Sequence, residues 1–341
     1  MRFGLFLPAG QWPGQSSTTA LARTVALARA AEDAGFDEVW LAEHHFMTYG
    51  VCPSATVLAG HLLAATSRIA VGTAVAVLPS RHPVALAEEA RLLASLAPGR
   101  FLLGVGRGGP WRELEVLGTG LSRYETGFPE SLDLLLASLD GGGSVAADGA
   151  FFRFREVPLL PRPETPPPVF LAATSPASER LAAERGLPML LGMHVGDAEK
   201  AAAVGRYREF GGPPRAGHVT TGVAWVGRTR EEARRTVTEE LPRWMGPGLA
   251  GYVPVDGRPR HVRDAAEYAA ELAGMHAVGT AEDCAEALAR ACALPDVGRV
   301  VLLVECSADA GRVAETVRSL GGEVLPRLRE TVSSRAGAAA G

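Results

Sequence analysis

The sequence predicts an α/β chain folded as a (β/α)8 TIM barrel, on three observations. Short apolar runs rich in branched residues alternate with helix-spaced segments along most of the chain, the order expected of parallel strands joined by crossover helices. The run Ile69 to Leu78 is almost unbroken in apolar residues, as in a strand covered on both faces. Eight such strands can be placed between Phe3 and Glu305, and eight close a barrel. The 341 residues are 47% hydrophobic and 21% charged, enough apolar material for one large core. No stretch before Glu330 is rich enough in Gly, Ser or Pro to divide the chain, so residues 1–330 read as a single barrel domain.

Residues 3–7 form the first strand, stopped by Pro8 and the Gly/Pro-rich segment Gly10 to Gly14. A helix capped at Thr18 or Thr19 carries Leu21, Val25, Leu27, Ala28 and Ala31 at helical spacing up to Gly35, a good residue for its end. The second strand follows at once and ends abruptly in Glu43-His44-His45. Pro53 opens a helix to about Ser67, Ile69 to Leu78 is strand three, Pro83 to Ala97 a helix, and Arg100 to Gly106 strand four. Residues 122–139 read as helix, Phe151 to Phe154 as part of a hairpin, and Val169 to Ala172 as strand five. Ser175 is a good N-cap before Pro176 at the first helical position, so a helix starts there and reaches Arg185. Strand Met189 to Leu191, helix Asp197 to Phe210, strand Val219 to Val226 and helix Thr229 to Trp244 complete units six and seven.

After strand seven, residues 246–262 hold four glycines and three prolines, and this irregular insertion reads as a mobile lid. Helices at Asp264 to Ala273 and after Thr280, which forms a near capping box with Asp283, lead to strand eight at Val300 to Glu305. The closing helix is Ala308 to Leu320, and residues 331–341 read as a frayed, disordered tail.

A net charge of -4 and the lack of any Lys/Arg-rich block argue against a nucleic-acid surface. No apolar run is long enough to cross a membrane, and Met1 to Pro8 is too short for a cleaved leader. Cys52, Cys284, Cys292 and Cys306 form no C-x-x-C pair and read as free thiols of a cytoplasmic protein. Adjacent histidines on a strand point to opposite faces and no third ligand converges on them, so no metal is expected at Glu43-His44-His45. There is no G-x-S-x-G elbow, and no dinucleotide glycine fingerprint follows strand one.

In a barrel of this kind the chemistry lies at the C-terminal ends of the strands. That rule selects the loops 43–52, 78–83, 106–111 and 174–178. Histidine titrates near neutrality, which suits His44 to proton transfer, although a capped strand end would look the same. The Gly106 to Gly109 turn lets backbone approach a ligand and leaves Arg107 free to meet an anion. The Ser175 helix start turns N–H groups toward the same rim, and together the two look like a phosphate site, with Arg123 a further candidate ligand or a solvated charge.

Trp40-Leu41-Ala42-Glu43-His44-His45-Phe46, Val71-Gly72-Thr73-Ala74, Leu78-Pro79 with His82-Pro83-Val84, Gly99-Arg100-Phe101, and Ala182-Ala183-Glu184-Arg185-Gly186-Leu187-Pro188-Met189 belong together. In this order and spacing they resemble the bacterial luciferase-like flavin monooxygenases, most closely the alpha-subunit branch of the family, and the likeness runs from Phe3 to Glu330. The resemblance implies reduced FMN delivered by a separate flavin reductase, and its reaction with O2. It makes His44 the catalytic histidine and Ala74-Val75 a non-prolyl cis peptide beneath the flavin ring. Gly106 and Ala172 become cofactor-lining positions, and Arg107, Arg123, Thr174, Ser175 and Ser178 the phosphate end. Gly106 departs from the family's reactive cysteine and Thr174 from its glutamate, so light emission does not follow. Trp111, Tyr124 and Phe128 lie where they would stack on a flat substrate or pack in the core.

The function so implied is a two-component FMN-dependent monooxygenase that hydroxylates, epoxidises or Baeyer-Villiger oxidises an organic small molecule. The Ala-, Arg- and Gly-heavy composition associates it with specialised-metabolite, aromatic polyketide biosynthesis. The alternatives are an F420-dependent hydride-transfer oxidoreductase and a non-catalytic flavin-binding protein. The small, apolar surface of helix 53–67 predicts a homodimer.

Overall fold

Alternating strand-like and helix-like patterns resolve into elements where the sequence places them. The computed structural model describes residues 1–258 and 263–338. Its parallel strands β1 (Arg2–Leu7), β2 (Glu38–Leu41), β3 (Ala70–Thr73), β4 (Phe101–Gly106), β5 (Val169–Ala173), β6 (Met189–Leu191), β7 (His218–Val226) and β8 (Val297–Leu303) pair in chain order. The ring closes where Leu5 of β1 sits opposite both Val39 of β2 and Leu302 of β8. This is the predicted (β/α)8 barrel. Strand Ala277–Gly279 adds to β7 outside the ring, and Ser144–Asp148 with Arg153–Pro158 forms an antiparallel hairpin.

The barrel interior is filled, not open. Trp40, Leu102, Phe170, Leu190, Val219 and Val301, each from a different strand, form one buried cluster onto which Phe6 and Ala70 pack. Trp40 is fully buried and needs the room that its neighbours give up: a Cβ on Gly72 would stand 2.5 Å from Trp40 Cε3. Its indole N–H donates to Glu38 Oε2 at 3.0 Å, and Glu38 in turn pairs with Arg299 at 3.0 Å, so the one polar atom on the ring is satisfied.

The surrounding helices are α1 (Ser17–Asp33), α2 (Ala55–Ala65), α3 (Pro83–Leu96), α4 (Phe128–Leu139), α5 (Pro176–Glu184), α6 (Asp197–Glu209), α7 (Arg230–Leu249), α8 (Ala265–Met275), α9 (Ala281–Cys292), α10 (Ala310–Ser319) and α11 (Leu325–Ala338). Side-chain caps at Ser16, Ser54, Thr229 and Asp264 set their starts, and Thr280 with Asp283 forms the anticipated capping box. α2 buries Ala59, Leu62 and Leu63 but leaves Val57 outside, and α3 leaves Leu92 and Leu96 outside.

Six expectations change. The first helix is capped by Ser16, not by Thr18 or Thr19, and Pro53, expected to open the second helix, lies ahead of its cap Ser54. Ile69 to Leu78 is not one strand: β3 ends at Thr73, a short strand at Ala76–Val77 pairs with β4, and Leu78–Ser80 is a 3-10 turn. An apolar run reports burial but not where its backbone turns. The stretch 122–139 is two helices, Gly120–Glu125 and α4. Residues 246–249, assigned to the lid, are the last turn of α7, which runs on through Pro242 and Pro247 because Leu241, Trp244, Met245 and Gly248 are buried; packing overrides local propensity. Residues 331–338, assigned to the tail, continue α11, whose start is anchored by buried Leu325 and Leu328, so packing of the first turns carries the helix on. Residues 259–262 of the expected lid and 339–341 of the tail lie outside the described residues.

Candidate active site

β2 delivers Glu43 and His44 to the C-terminal rim of the barrel. The chain is held there by backbone bonds from Ala42 N to Leu7 O and from His44 N to Cys52 O (2.9 Å). The His44 ring stands edge-on to Tyr49 (centroids 5.1 Å apart) and to Tyr252 (6.1 Å). Its Nδ1 is buried with no hydrogen-bond partner among the described residues, and a Cβ on Gly50 would collide with it. Burial pushes the His44 pKa down to about 4; the neighbouring Glu43 charge opposes the shift and His45 adds to it. The imidazole is therefore neutral at pH 7.

Glu43 is buried beneath this rim and joins four segments. Its Oε1 accepts from Val77 N (3.2 Å) and lies 3.6 Å from His45 Nε2, while Oε2 accepts from Ala55 N at the start of α2 (3.2 Å) and faces Arg81 (3.3 Å). Arg81 continues to Glu89 (2.8 Å) and Ser54 Oγ (2.9 Å). A carboxylate at a helix N-terminus and against an arginine is favourably placed. The sequence marks Glu43 as part of the rim but not as this junction, and it passes over Arg81, whose only signal is its place between Leu78-Pro79 and His82-Pro83.

Just past the end of the neighbouring strand β3, the Ala74–Val75 peptide is cis, as the resemblance implies. Ala74, Val75 and Ala172 cap the interior cluster, with Gly106 against Val75 and Ala172, so small side chains pave the floor of the mouth.

The sequence matches the family model described as Luciferase-like monooxygenase over residues 1–295. The chain belongs to the luciferase-like monooxygenase family. It is 35% identical over 212 residues to the alkanal monooxygenase alpha chain of the Kryptophanaron alfredi symbiont. That match covers 62% of this chain and 59% of the relative, so the chain spans about three fifths of the curated relative's length. Monooxygenase RslO1 from Streptomyces bottropensis superposes with a TM-score of 0.82 at 22% identity, over 96% of this chain and 99% of that one. The oxygenating constituent of 3,6-diketocamphane monooxygenase of Pseudomonas putida, a type II Baeyer-Villiger monooxygenase in complex with FMN, scores 0.75 at 20% identity over 96% and 98% of the two chains. An F420-dependent secondary alcohol dehydrogenase scores 0.75 at 19% identity over the same shares, 96% and 98%. These likenesses show a shared fold.

In this member of the family the candidate anion end follows β4 and β5. Arg107 is exposed, its guanidinium 4.4 Å above the Tyr124 ring, and it makes no ion pair among the described residues. Ser175 and Ser178 cap α5 reciprocally: Ser178 N donates to Ser175 Oγ (3.3 Å), and Thr174 N and Ser175 N donate to Ser178 Oγ (3.1 Å each). The hydroxyls are thus engaged with the helix start, and a phosphate there would compete with the cap. Arg123 is already engaged, against the 78–83 loop and the hairpin. It donates to Arg81 O (2.9 Å) and lies 4.3 Å over Phe152, beside an outer cleft lined by His82, Phe151 and Arg153. Stacking on the hairpin, which sequence spacing does not reveal, captures its guanidinium.

The segment after α7 crosses the rim. Val255 N donates to Pro110 O (2.8 Å), Pro254 bridges Trp111, and the Tyr252 ring lies 5.0 Å from Trp111 and 5.8 Å from Tyr49. Tyr49 also stacks on Trp244 of α7 at 4.7 Å. Of the three aromatics flagged in the sequence, Trp111 joins this strap, Tyr124 supports Arg107, and Phe128 is buried in the core. Tyr49 and Tyr252, the two rings that enclose His44, carry no signal in the sequence that would single them out.

Proposed function

We propose that this chain is a two-component monooxygenase that takes reduced FMN from a separate flavin reductase and uses O2 to oxygenate an organic small molecule. The observation that carries this reading is the placement of His44, the small-residue floor and Arg107 on the ends of consecutive strands β2 to β5. Two interstrand spacings, about 10 Å, separate a proton-transfer group on β2 from an anion-binding one on β4. Arg107, without an ion pair among the described residues, and that floor suit a planar ring bearing a phosphate tail.

Arg107 would hold the phosphate, with Ser175 and Ser178 turning from each other to it and Thr174 and Arg123 at its margin. Ala74, Val75, Gly106 and Ala172 would support the ring. When bound, the reduced flavin supplies the electrons that activate oxygen. His44 is neutral and accepts or returns a proton; with Nδ1 sealed against Gly50, Nε2 is the working nitrogen. The strap carrying Tyr252 excludes water from this wall as a lid. A homodimer would cover Val57, Leu92 and Leu96. A cytoplasmic setting fits the reductase partner, and among the described residues no helix is long and apolar enough to cross a membrane.

The fold shared with an F420-dependent dehydrogenase supports a second reading, hydride transfer with F420. The two part cleanly. With a flavin reductase and NADH, substrate-dependent O2 uptake and a product heavier by one oxygen atom support the monooxygenase. Reduction of F420 by an alcohol without O2 uptake, and no FMN binding, would sink it.

A further inference from the structure

Three neighbouring strand ends meet in the floor of the mouth. Gly106 is the last residue of β4, Ala172 lies one residue before the end of β5, and Val75 stands just beyond β3. Gly106 is not among the glycines with left-handed backbone, so conformation does not require a glycine there. Space does. A Cβ built on Gly106 would stand 2.7 Å from Val75 Cγ2 and 3.2 Å from Ala172 Cβ. Carbon atoms in contact prefer about 3.5–4.0 Å, so a Val75 methyl already occupies the volume that a side chain at 106 would take. Val75 packs on the interior cluster and is half-buried, leaving its other face to the mouth.

We infer that Val75 and Gly106 share one side-chain volume, and that Val75, filling it from the β3 side, sets the depth of the ligand bed and decides which ring systems lie there. The ligand part rests on the functional reading above; the shared volume does not. A bed with glycine at 106 and alanine at 75 would be deeper by two methyl groups. A side chain at 106 with alanine at 75 would restore the depth but move the raised part toward β4.

The test is a double-variant cycle of V75A, G106A and V75A/G106A, read in two ways. Without ligand, G106A lowers Tm by roughly 3–5 °C through overpacking, and V75A in the same chain restores most of the loss. Should G106A alone fail to fold, a folded double variant with a Tm near that of V75A supports the same conclusion. With oxidised FMN, followed by flavin fluorescence quenching, V75A weakens binding about fivefold through lost ring contacts, and the double variant returns to within about twofold. Additive Tm effects overturn the shared volume, and unchanged FMN affinity in V75A overturns its role in the bed. If the unaltered protein binds no FMN, the functional reading fails instead, and the Tm cycle still decides the packing.

Discussion

Replacing Glu43 by alanine removes the junction under the candidate active site, and its cost can be worked from the contacts. Two backbone N–H groups, of Val77 and Ala55, lose their acceptor at 3.2 Å in a buried setting. Each buried donor left unpaired costs about 1–3 kcal/mol. Arg81 loses one carboxylate at 3.3 Å but keeps Glu89 at 2.8 Å and Ser54 at 2.9 Å, which limits its share. The sum is about 3–5 kcal/mol for E43A, typical of breaking a buried pair from one side. E43Q retains one oxygen acceptor and loses about 2 kcal/mol. Urea unfolding followed by tryptophan fluorescence measures both, with an unchanged m-value required for the comparison. In an R81Q background the cost of E43A shrinks by about 1–2 kcal/mol, because the two side chains are partners. A loss below about 1 kcal/mol in E43A, or full additivity with R81Q, would show that these contacts do not hold the rim together.

Stability should fall in mild acid. His218 is fully buried and its Nδ1 accepts from Met189 N (2.9 Å), so it is folded in its neutral form, and burial pushes its pKa to about 4. The unfolded chain titrates near 6.5. Between those values the unfolded state binds the extra proton, so the stabilisation is complete above about pH 6.5 and drains away toward pH 4, on the order of 3 kcal/mol; His276, also at about 4, adds to the slope. A Tm that stays flat from pH 7 to 4.5 would contradict this. R107A is expected to weaken FMN binding about tenfold by removing a charge-assisted contact, while R123A, whose guanidinium is engaged elsewhere, changes it less than threefold; quenching titrations that reverse this order refute the assignment. L96D and V57D together should give a monomer in sedimentation at micromolar concentration if α2 and α3 form the dimer face, and a dimer unmoved by both would place the interface elsewhere.

Much of the architecture is legible in local pattern. Caps such as Ser175 and Thr280 with Asp283 announce helix starts because a short side-chain oxygen satisfies N–H groups one turn away, an interaction contained within four residues. His44 and Arg107 are visible for the same reason: each lies within three residues of its strand's end, and the barrel's geometry puts strand ends on one rim. Residues joined only in space are less visible. Nothing near Tyr252 in sequence says that it will lean on His44, nor near Arg123 that Phe152 will capture it.

The sequence alone thus determined the order of elements, the closure into a barrel, the rim that carries His44 and Arg107, and the resemblance that pointed to a flavin site, because each depends on periodicity or short-range spacing. Only the tertiary structure decided that Glu43 ties β2, α2 and Arg81 together, that the segment after α7 straps Trp111 to the His44 wall, and that Gly106 is small because Val75 fills its place. Those three are contacts across the fold, set by close packing among distant residues, and close packing leaves no periodic trace in the chain.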